Sequence, residues 1–139
     1  MAKQQLQTLY HCAFSLHYHL VIVTKYRRMV ITKKMLERLN QIFNETLQLW
    51  GCKLIEFNGE PDHVHLLFEA TPVMQLSKLI NNLKTVSSRL IRRDFKAEVT
   101  RIYLRKPVFW HRSYCIISAG GAPIETLRRY IEEQASPED

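Results

Sequence analysis

Two stretches of this chain alternate between two kinds of side chain with a period of two, which commits both to extended strands. In Phe14 to Thr24, Leu16, Tyr18, Leu20 and Ile22 fall on one face, and His17, His19, Val21 and Val23 on the other. In His63 to Glu69, Val64, Leu66 and Phe68 face a presumed core, and His63, His65 and Leu67 point away from it. A helix would scatter each of these sets around its circumference. The first run is therefore read as a half-buried strand that leaves through a basic exit, Lys25, Arg27 and Arg28.

Between and after these runs the period changes to that of a helix. Thr32 can cap a helix running to about Trp50, with the stripe Leu36, Leu39, Ile42, Phe43 and Leu47, and Gly51 stops it. Cys52 to Asn58 reads as a strand, followed by an Asn58-Gly59 turn signal with Pro61 as further punctuation. Thr71-Pro72 opens a second long helix to about Asp94, with Leu76, Leu79, Ile80, Leu83, Val86, Leu90 and Ile91 as its buried stripe. Arg101 to Val108 reads as a short strand or an irregular arm, and Ser113 to Ser118 as a fourth strand. Gly120-Gly121 then breaks the chain, and Pro123 suits the first turn of a final helix over about 123–135. Residues 1–13 read as a loose lead-in. The order strand, helix, strand, strand, helix, strand, helix predicts an α+β fold in one domain spanning 1–139. Its antiparallel sheet has helices packed on one face, in a ferredoxin-like or RRM-like sandwich. The other sheet face, or an edge, is left for a ligand or a partner subunit.

The chain has 139 residues, 46% hydrophobic and 24% charged, which suits a folded globular chain and excludes a disordered one. Its 20 Lys and Arg against 13 Asp and Glu leave +7, a balance that suits a polyanionic partner and equally serves solubility. Cys12, Cys52 and Cys115 are odd in number and widely spaced, so neither a disulfide framework nor a zinc knuckle is expected. No apolar run reaches membrane-spanning length and the first residues lack a signal-peptide core, so a soluble, cytoplasmic location with no membrane partner is expected.

Chemistry enters with the histidines. On a strand, His63 and His65 project side by side, as a metal site requires, although such pairs also occur as partly exposed polar positions. His17 and His19 share the same spacing and act as an internal control. Two imidazoles are too few for a closed structural zinc site. A hard ion such as magnesium or manganese, held by two histidines and one amide oxygen, keeps about three positions for phosphate oxygens and water. On the last helix, Tyr130 and Gln134 stack at i and i+4 on the flank of the stripe Ile124, Leu127 and Ile131. A phenol there is a candidate nucleophile and an amide a candidate ligand. The competing reading is a boundary tyrosine with a wet hydroxyl. Asp62, Glu60 and His19 lie beside the motifs without an assigned role.

Three segments carry a resemblance. Gly59-Glu60-Pro61-Asp62-His63-Val64-His65-Leu66-Leu67 resembles the His-hydrophobic-His motif of HUH endonucleases. Leu16 to Arg27 resembles their opening strand, and Arg129-Tyr130-Ile131-Glu132-Glu133-Gln134 their tyrosine helix. Together, in this order and chain length, they are similar to the single-tyrosine HUH transposases of the smallest insertion sequences, the TnpA type. The resemblance implies that Tyr130 attacks a phosphodiester of single-stranded DNA to form a 5′-phosphotyrosine link. It implies that His63, His65 and Gln134 hold Mg2+ or Mn2+. It also implies a homodimer that recognises DNA hairpins, with the tyrosine helix able to complete the partner's site through a hinge at Gly120 and Gly121. Candidate DNA contacts are Lys25, Arg27, Arg28, Lys84, Arg89, Arg92, Arg105 and Arg112, joined by Lys106 and by Phe109, Trp110 and His111 as stacking rings. Two other readings remain open: a domesticated relative processing repeated chromosomal hairpins, and a non-catalytic nucleic-acid-binding module.

Overall fold

The computed structural model describes residues 7–9, 12–120 and 124–134. In chain order the elements are β1 (Gln7–Leu9), β2 (Cys12–Phe14), β3 (Leu16–Val23), α1 (Lys33–Leu49), β4 (Lys53–Glu60), β5 (His63–Ala70), α2 (Leu76–Asp94), α3 (Lys96–Tyr103), β6 (Cys115–Ser118) and α4 (Ile124–Glu133). The main sheet has four strands in the order β4-β5-β3-β6, and every pairing in it is antiparallel. The α+β expectation holds, and this strand order is that of a ferredoxin-like sandwich. The segment read as a loose lead-in instead carries a two-stranded ribbon, β1 against β2.

The period-two runs decide where the core sits. Leu20 and Ile22 of β3, with Val64, Leu66 and Phe68 of β5, are fully buried against α1 and α2. Leu39, Phe43 and Leu47 meet them from α1, and Leu79, Leu83 and Ile91 from α2. Burying one such side chain stabilises by about 1.5–3 kcal/mol, so this layer dominates the fold. Thr32 caps α1 by accepting the Met35 N–H at 3.2 Å, as its position suggests.

The opposite face is also used. Val21 and Val23 are buried, and they pack with Leu127 of α4 in a second, smaller apolar cluster. The long helices lie together on one side, and α4 covers part of the face expected to stay free. For this reason β3 is buried on both faces in its second half, Leu20 to Val23, rather than half-buried.

Three local expectations are corrected. Asn58 and Gly59 are not the hairpin turn: they pair with His65 and Val64 inside the ladder, and Pro61-Asp62 makes the two-residue turn between Glu60 and His63. Gly59 is there because α1 crosses close by. A Cβ on it would collide with Leu36 Cδ2. The second long helix begins at Leu76 rather than at Pro72, because Thr71 to Met74 first closes a turn through Met74 N–H to Thr71 C=O, 3.2 Å. The 101–108 segment, read as a short strand or an irregular arm, is not a strand: α3 ends in it at Tyr103, and 104–108 is the irregular arm. The β-branched residues Val99, Thr100 and Ile102 mimic a strand, but Val99 and Tyr103, four apart, both bury against the core and fix a helix. Tyr103 also donates its hydroxyl to Lys25 C=O at 2.7 Å, tying the following arm to the end of β3.

Candidate active site and basic channel

β5 aims His63 and His65 away from the main core, into a cleft of about 460 Å3. Its floor includes Val21, its rim Arg27 and Glu60, and its far wall Leu127, Arg128, Ile131 and Glu132 of α4. The hairpin turn orients the first histidine. Asp62, almost fully buried, accepts from His63 Nδ1 at 2.8 Å and from Arg27 Nε at 2.8 Å. A carboxylate only accepts, so Nδ1 of His63 carries a proton, and in the neutral ring the lone pair is on Nε2. Burial pushes the Asp62 carboxyl up, but the hydrogen bonds and charges of Arg27 and His63 outweigh it and hold it below the usual range.

The turn that supplies Arg27 is strained. Tyr26 and Arg27 both adopt left-handed backbone, at φ 59° and 53°. Each costs about 1–2 kcal/mol in a non-glycine residue. Thr24 offsets this strain locally: its N–H donates to Asp62 C=O at 2.9 Å, and its hydroxyl is shared between Arg28 C=O and Asp62 C=O. Thus the end of β3, the 25–27 turn and the β4-β5 turn form one hydrogen-bonded unit behind His63.

His65 is held differently. Its Nε2 lies 2.9 Å from His19 Nδ1, with the two rings stacked at 5.0 Å. Burial first, then the neighbouring His19 and His63, lower its pKa despite an opposing Glu56. The neutral ring this favours is the form a metal takes. The control pair separates clearly: His17 turns to Glu69 at 3.1 Å, and only His19 joins the cleft pair.

The donor set fits a divalent ion at His63, whose Nε2 remains available, and at His65 once Nε2 exchanges His19 for the ion. No group of three or more His, Cys, Asp or Glu converges among the described residues.

Tyr130 and Gln134 are not among the residues lining the cleft. Tyr130 lies on the neighbouring flank of α4, and Gln134 directly follows the helix's last residue, Glu133, with its N–H donating to Ile131 C=O at 3.1 Å. Tyr130 Oη is 2.7 Å from Ser113 Oγ, which is 2.9 Å from His111 Nδ1. Because that Nδ1 also accepts the Ser113 backbone N–H at 3.0 Å, it is unprotonated. The chain of donors then runs from the phenol to Ser113 and from Ser113 to His111. Asp62, Ser113 and His111 are the positioning residues that periodicity did not reveal. The proximity of Asp62 to the motif was the only signal for the first.

The expected DNA contacts divide. Arg27 is committed to Asp62, and Arg28 lies exposed over the Tyr26 ring at 5.7 Å. Lys25, Lys84, Arg89, Arg92, Arg105 and Arg112 line two adjoining grooves on the α2-α3 side. Burial, reinforced by Lys25, lowers the pKa of Lys84 to about 8. Phe109, Trp110 and His111 do not offer stacking faces: all three are buried, at 0%, 7% and 6% exposure. Trp110 spends its indole N–H on Ser87 Oγ at 2.9 Å inside the core.

No described helix is long and apolar enough to cross a membrane. Residues 12–134 match the profile of the IS200-like transposases. The chain is 30% identical over 129 residues to the ISDra2 transposase TnpA of Deinococcus radiodurans, covering 90% of this chain and 88% of that one. It is 26% identical to the transposase for insertion sequence element IS200 of Salmonella typhimurium, covering 92% and 82%. A crystal structure of a Deinococcus radiodurans transposase superposes with a TM-score of 0.83 at 26% identity, over 94% of this chain and 98% of that one. A REP-associated tyrosine transposase bound to a REP hairpin shares the fold at a TM-score of 0.56 and 10% identity, over 95% and 69%. With the strand order, the paired histidines and the family match spanning nearly the whole chain, this protein belongs to the IS200-like transposase family, of the TnpA type, and is a DNA-processing enzyme.

Proposed function

We propose that the protein cuts and rejoins single-stranded DNA at insertion-sequence ends, with Tyr130 as its nucleophile. One observation carries this reading: His63 and His65 open into a cleft whose far wall is α4, the helix that bears Tyr130. The phenolic oxygen attacks phosphorus, the bond to the 3′-oxygen breaks, and that oxygen leaves as a hydroxyl, taking up the proton the phenol gives up. The new tyrosyl ester preserves the phosphodiester's energy, so a 3′-hydroxyl attacking it restores a joined strand and the free phenol.

His63, His65 and Gln134 are the residues we assign to Mg2+ or Mn2+. When bound, such an ion polarises the scissile phosphate and offsets its developing charge. Asp62 keeps the His63 ring turned with Nε2 outward, and Arg27 at the rim adds positive charge. Tyr130 is in α4 and Gln134 directly follows it, so a single displacement of that helix would carry both toward the histidines. It comes either within the subunit or from the second copy in a homodimer. Gly120, at φ 87° with open space around its α-carbon, is suited to absorb that movement. The substrate is single-stranded DNA folded into hairpins near the element's ends.

The test incubates wild type and Tyr130→Phe with Mn2+ or Mg2+ and single strands from the DNA flanking the gene. A denaturing gel and peptide mapping read the result. An adduct on wild type alone, mapped to Tyr130, is the expected outcome. An adduct retained by Tyr130→Phe refutes this nucleophile, and hairpin binding with no adduct on either protein points to a binding module.

A further inference from the structure

The residue on which Tyr130 rests lies in a stretch without regular structure, 111–114, just before β6. Both ends of the stretch are anchored. Trp110 bridges to Thr24 and donates its indole N–H to Ser87 of α2, and the His111 N–H donates to Val23 C=O at 2.7 Å. At the other end Cys115 enters the sheet opposite Val21. Ser113, whose hydroxyl meets the Tyr130 hydroxyl at 2.7 Å, sits between these anchors.

α2 also reaches this middle part. Lys84 Nζ donates to Arg112 C=O at 2.9 Å and to Ser113 C=O at 3.4 Å, and it lies 6.0 Å from the Tyr114 ring. Lys84 and Ser87 are three residues apart on one face of α2, so that face grips the stretch at two points. A lysine that serves phosphates extends its head into solvent. This one is half-buried and turned onto two backbone carbonyls. Its pKa of about 8, lowered by burial and then by Lys25, leaves it an ammonium at pH 7. Hydrogen bonds from such a charged donor are about twice as strong as neutral ones. Lys84 and Tyr130 come from opposite sides of the sheet and meet on one residue, Ser113, the first at its carbonyl and the second at its hydroxyl.

We infer that Lys84 is a positioning residue for Tyr130 rather than a phosphate contact. By holding the Arg112 and Ser113 carbonyls it fixes the Ser113 hydroxyl, and with it the place where the phenol rests while α4 is docked. The bearing of this on DNA cutting rests on the proposed role of Tyr130 as nucleophile: a weaker seat raises the fraction of subunits whose phenol is free to leave Ser113.

The test labels the full chain with 3-fluorotyrosine and reads it by fluorine NMR at pH 7, without DNA or metal. Tyr130→Phe identifies the Tyr130 line by its loss, and Ser113→Ala gives the position of the released phenol. Lys84→Met keeps the apolar stem and removes the ammonium. It moves the ratio of released to seated phenol about tenfold or more toward released, as losing a charged donor's hydrogen bonds requires. Lys84→Arg, which keeps a charged donor, returns most of the seated line. The Tyr18 line, from a ring packed on Phe68 in the main core, stays where it is. A second readout is binding of a hairpin-forming strand from the DNA flanking the gene, across a salt series. The slope of log affinity against log salt is the same for Lys84→Met and wild type, whereas a lost phosphate contact lowers it by about one. A Tyr130 line that keeps its wild-type position overturns the inference. So does a slope lower by about one, and so does a Tyr18 line that moves with that of Tyr130, the mark of general loosening. If Lys84→Met fails to fold by circular dichroism, Lys84→Gln takes its place in both measurements. Neither readout involves cutting. An adduct retained by Tyr130→Phe therefore refutes the nucleophile and leaves the seat standing, and an unmoved Tyr130 line does the reverse.

Discussion

Replacing Asp62 by Asn tests whether the β4-β5 turn orients the metal-binding ring. The substitution conserves volume but converts one accepting oxygen into an NH2 donor. Arg27 Nε is always a donor, so the amide oxygen stays with it and the NH2 turns toward His63. Nδ1 of His63 must then accept, its proton moves to Nε2, and the lone pair assigned to the ion is lost. One buried hydrogen bond to a charged acceptor becomes a neutral one and the second changes sense, at a net cost of about 1–2 kcal/mol. At roughly 4 °C per kcal/mol for a chain of this size, the melting temperature falls by about 4–8 °C. The effect on the ion is larger, about 10–100-fold in affinity, as for other groups that orient a ligating histidine. The assay is Mn2+ titration by calorimetry for wild type, Asp62→Asn and His63→Ala, with thermal melts at several pH values. The Asp62 carboxyl is held below its unfolded value near about 3.9. Its contribution is therefore complete above that value and is lost as pH falls through the folded pKa. The stability gap between wild type and Asp62→Asn closes in acid. Full Mn2+ affinity in Asp62→Asn would refute the orienting role, and a gap that persists in strong acid would refute its electrostatic origin.

Ser87→Ala leaves the buried Trp110 N–H without its acceptor and costs about 1–3 kcal/mol, read as a shifted urea midpoint with unchanged slope. A change confined to the slope would contradict this. Gly59→Ala drives a methyl group into Leu36 and costs about 1–3 kcal/mol unless Leu36 changes rotamer. Leu36→Ala in the same chain should recover part of the loss, and strict additivity would exclude the contact. Burial raises the Cys52 thiol to about 11, so a thiol reagent at pH 8 modifies it only on unfolding. Rapid labelling of the native protein at Cys52 would show that this site is open.

Much of the fold is legible in the sequence because it depends on period. Val64, Leu66 and Phe68 alternate with His63, His65 and Glu69, and Leu20 keeps the same period after His17 and His19, so their burial follows from strand geometry; Ile22, between the equally buried Val21 and Val23, does not stand out by alternation. The Thr32 cap and the stop at Gly51 (φ 74°) are local backbone chemistry, readable without a fold. The side-by-side histidines follow from the same rule. Where periodicity misled, long-range packing was responsible. Asn58-Gly59 has the chemistry of a turn, but a helix passing over Gly59 makes it a strand. Val99 and Tyr103 make a helix of a β-branched segment because the core receives both on one side.

The site divides along the same line. The sequence alone determined that His63 and His65 share a face, because that relation lies within one strand. Only the tertiary structure decided that Asp62 and Arg27 orient His63, that His19 rather than His17 meets His65, and that Tyr130 docks on Ser113 outside the cleft. It also decided that Phe109 and Trp110 are core, while nine scattered cations line two adjoining grooves. Spacing fixes the direction of a side chain within its own strand or helix. Which partner it meets depends on how distant elements pack, and no local pattern encodes that.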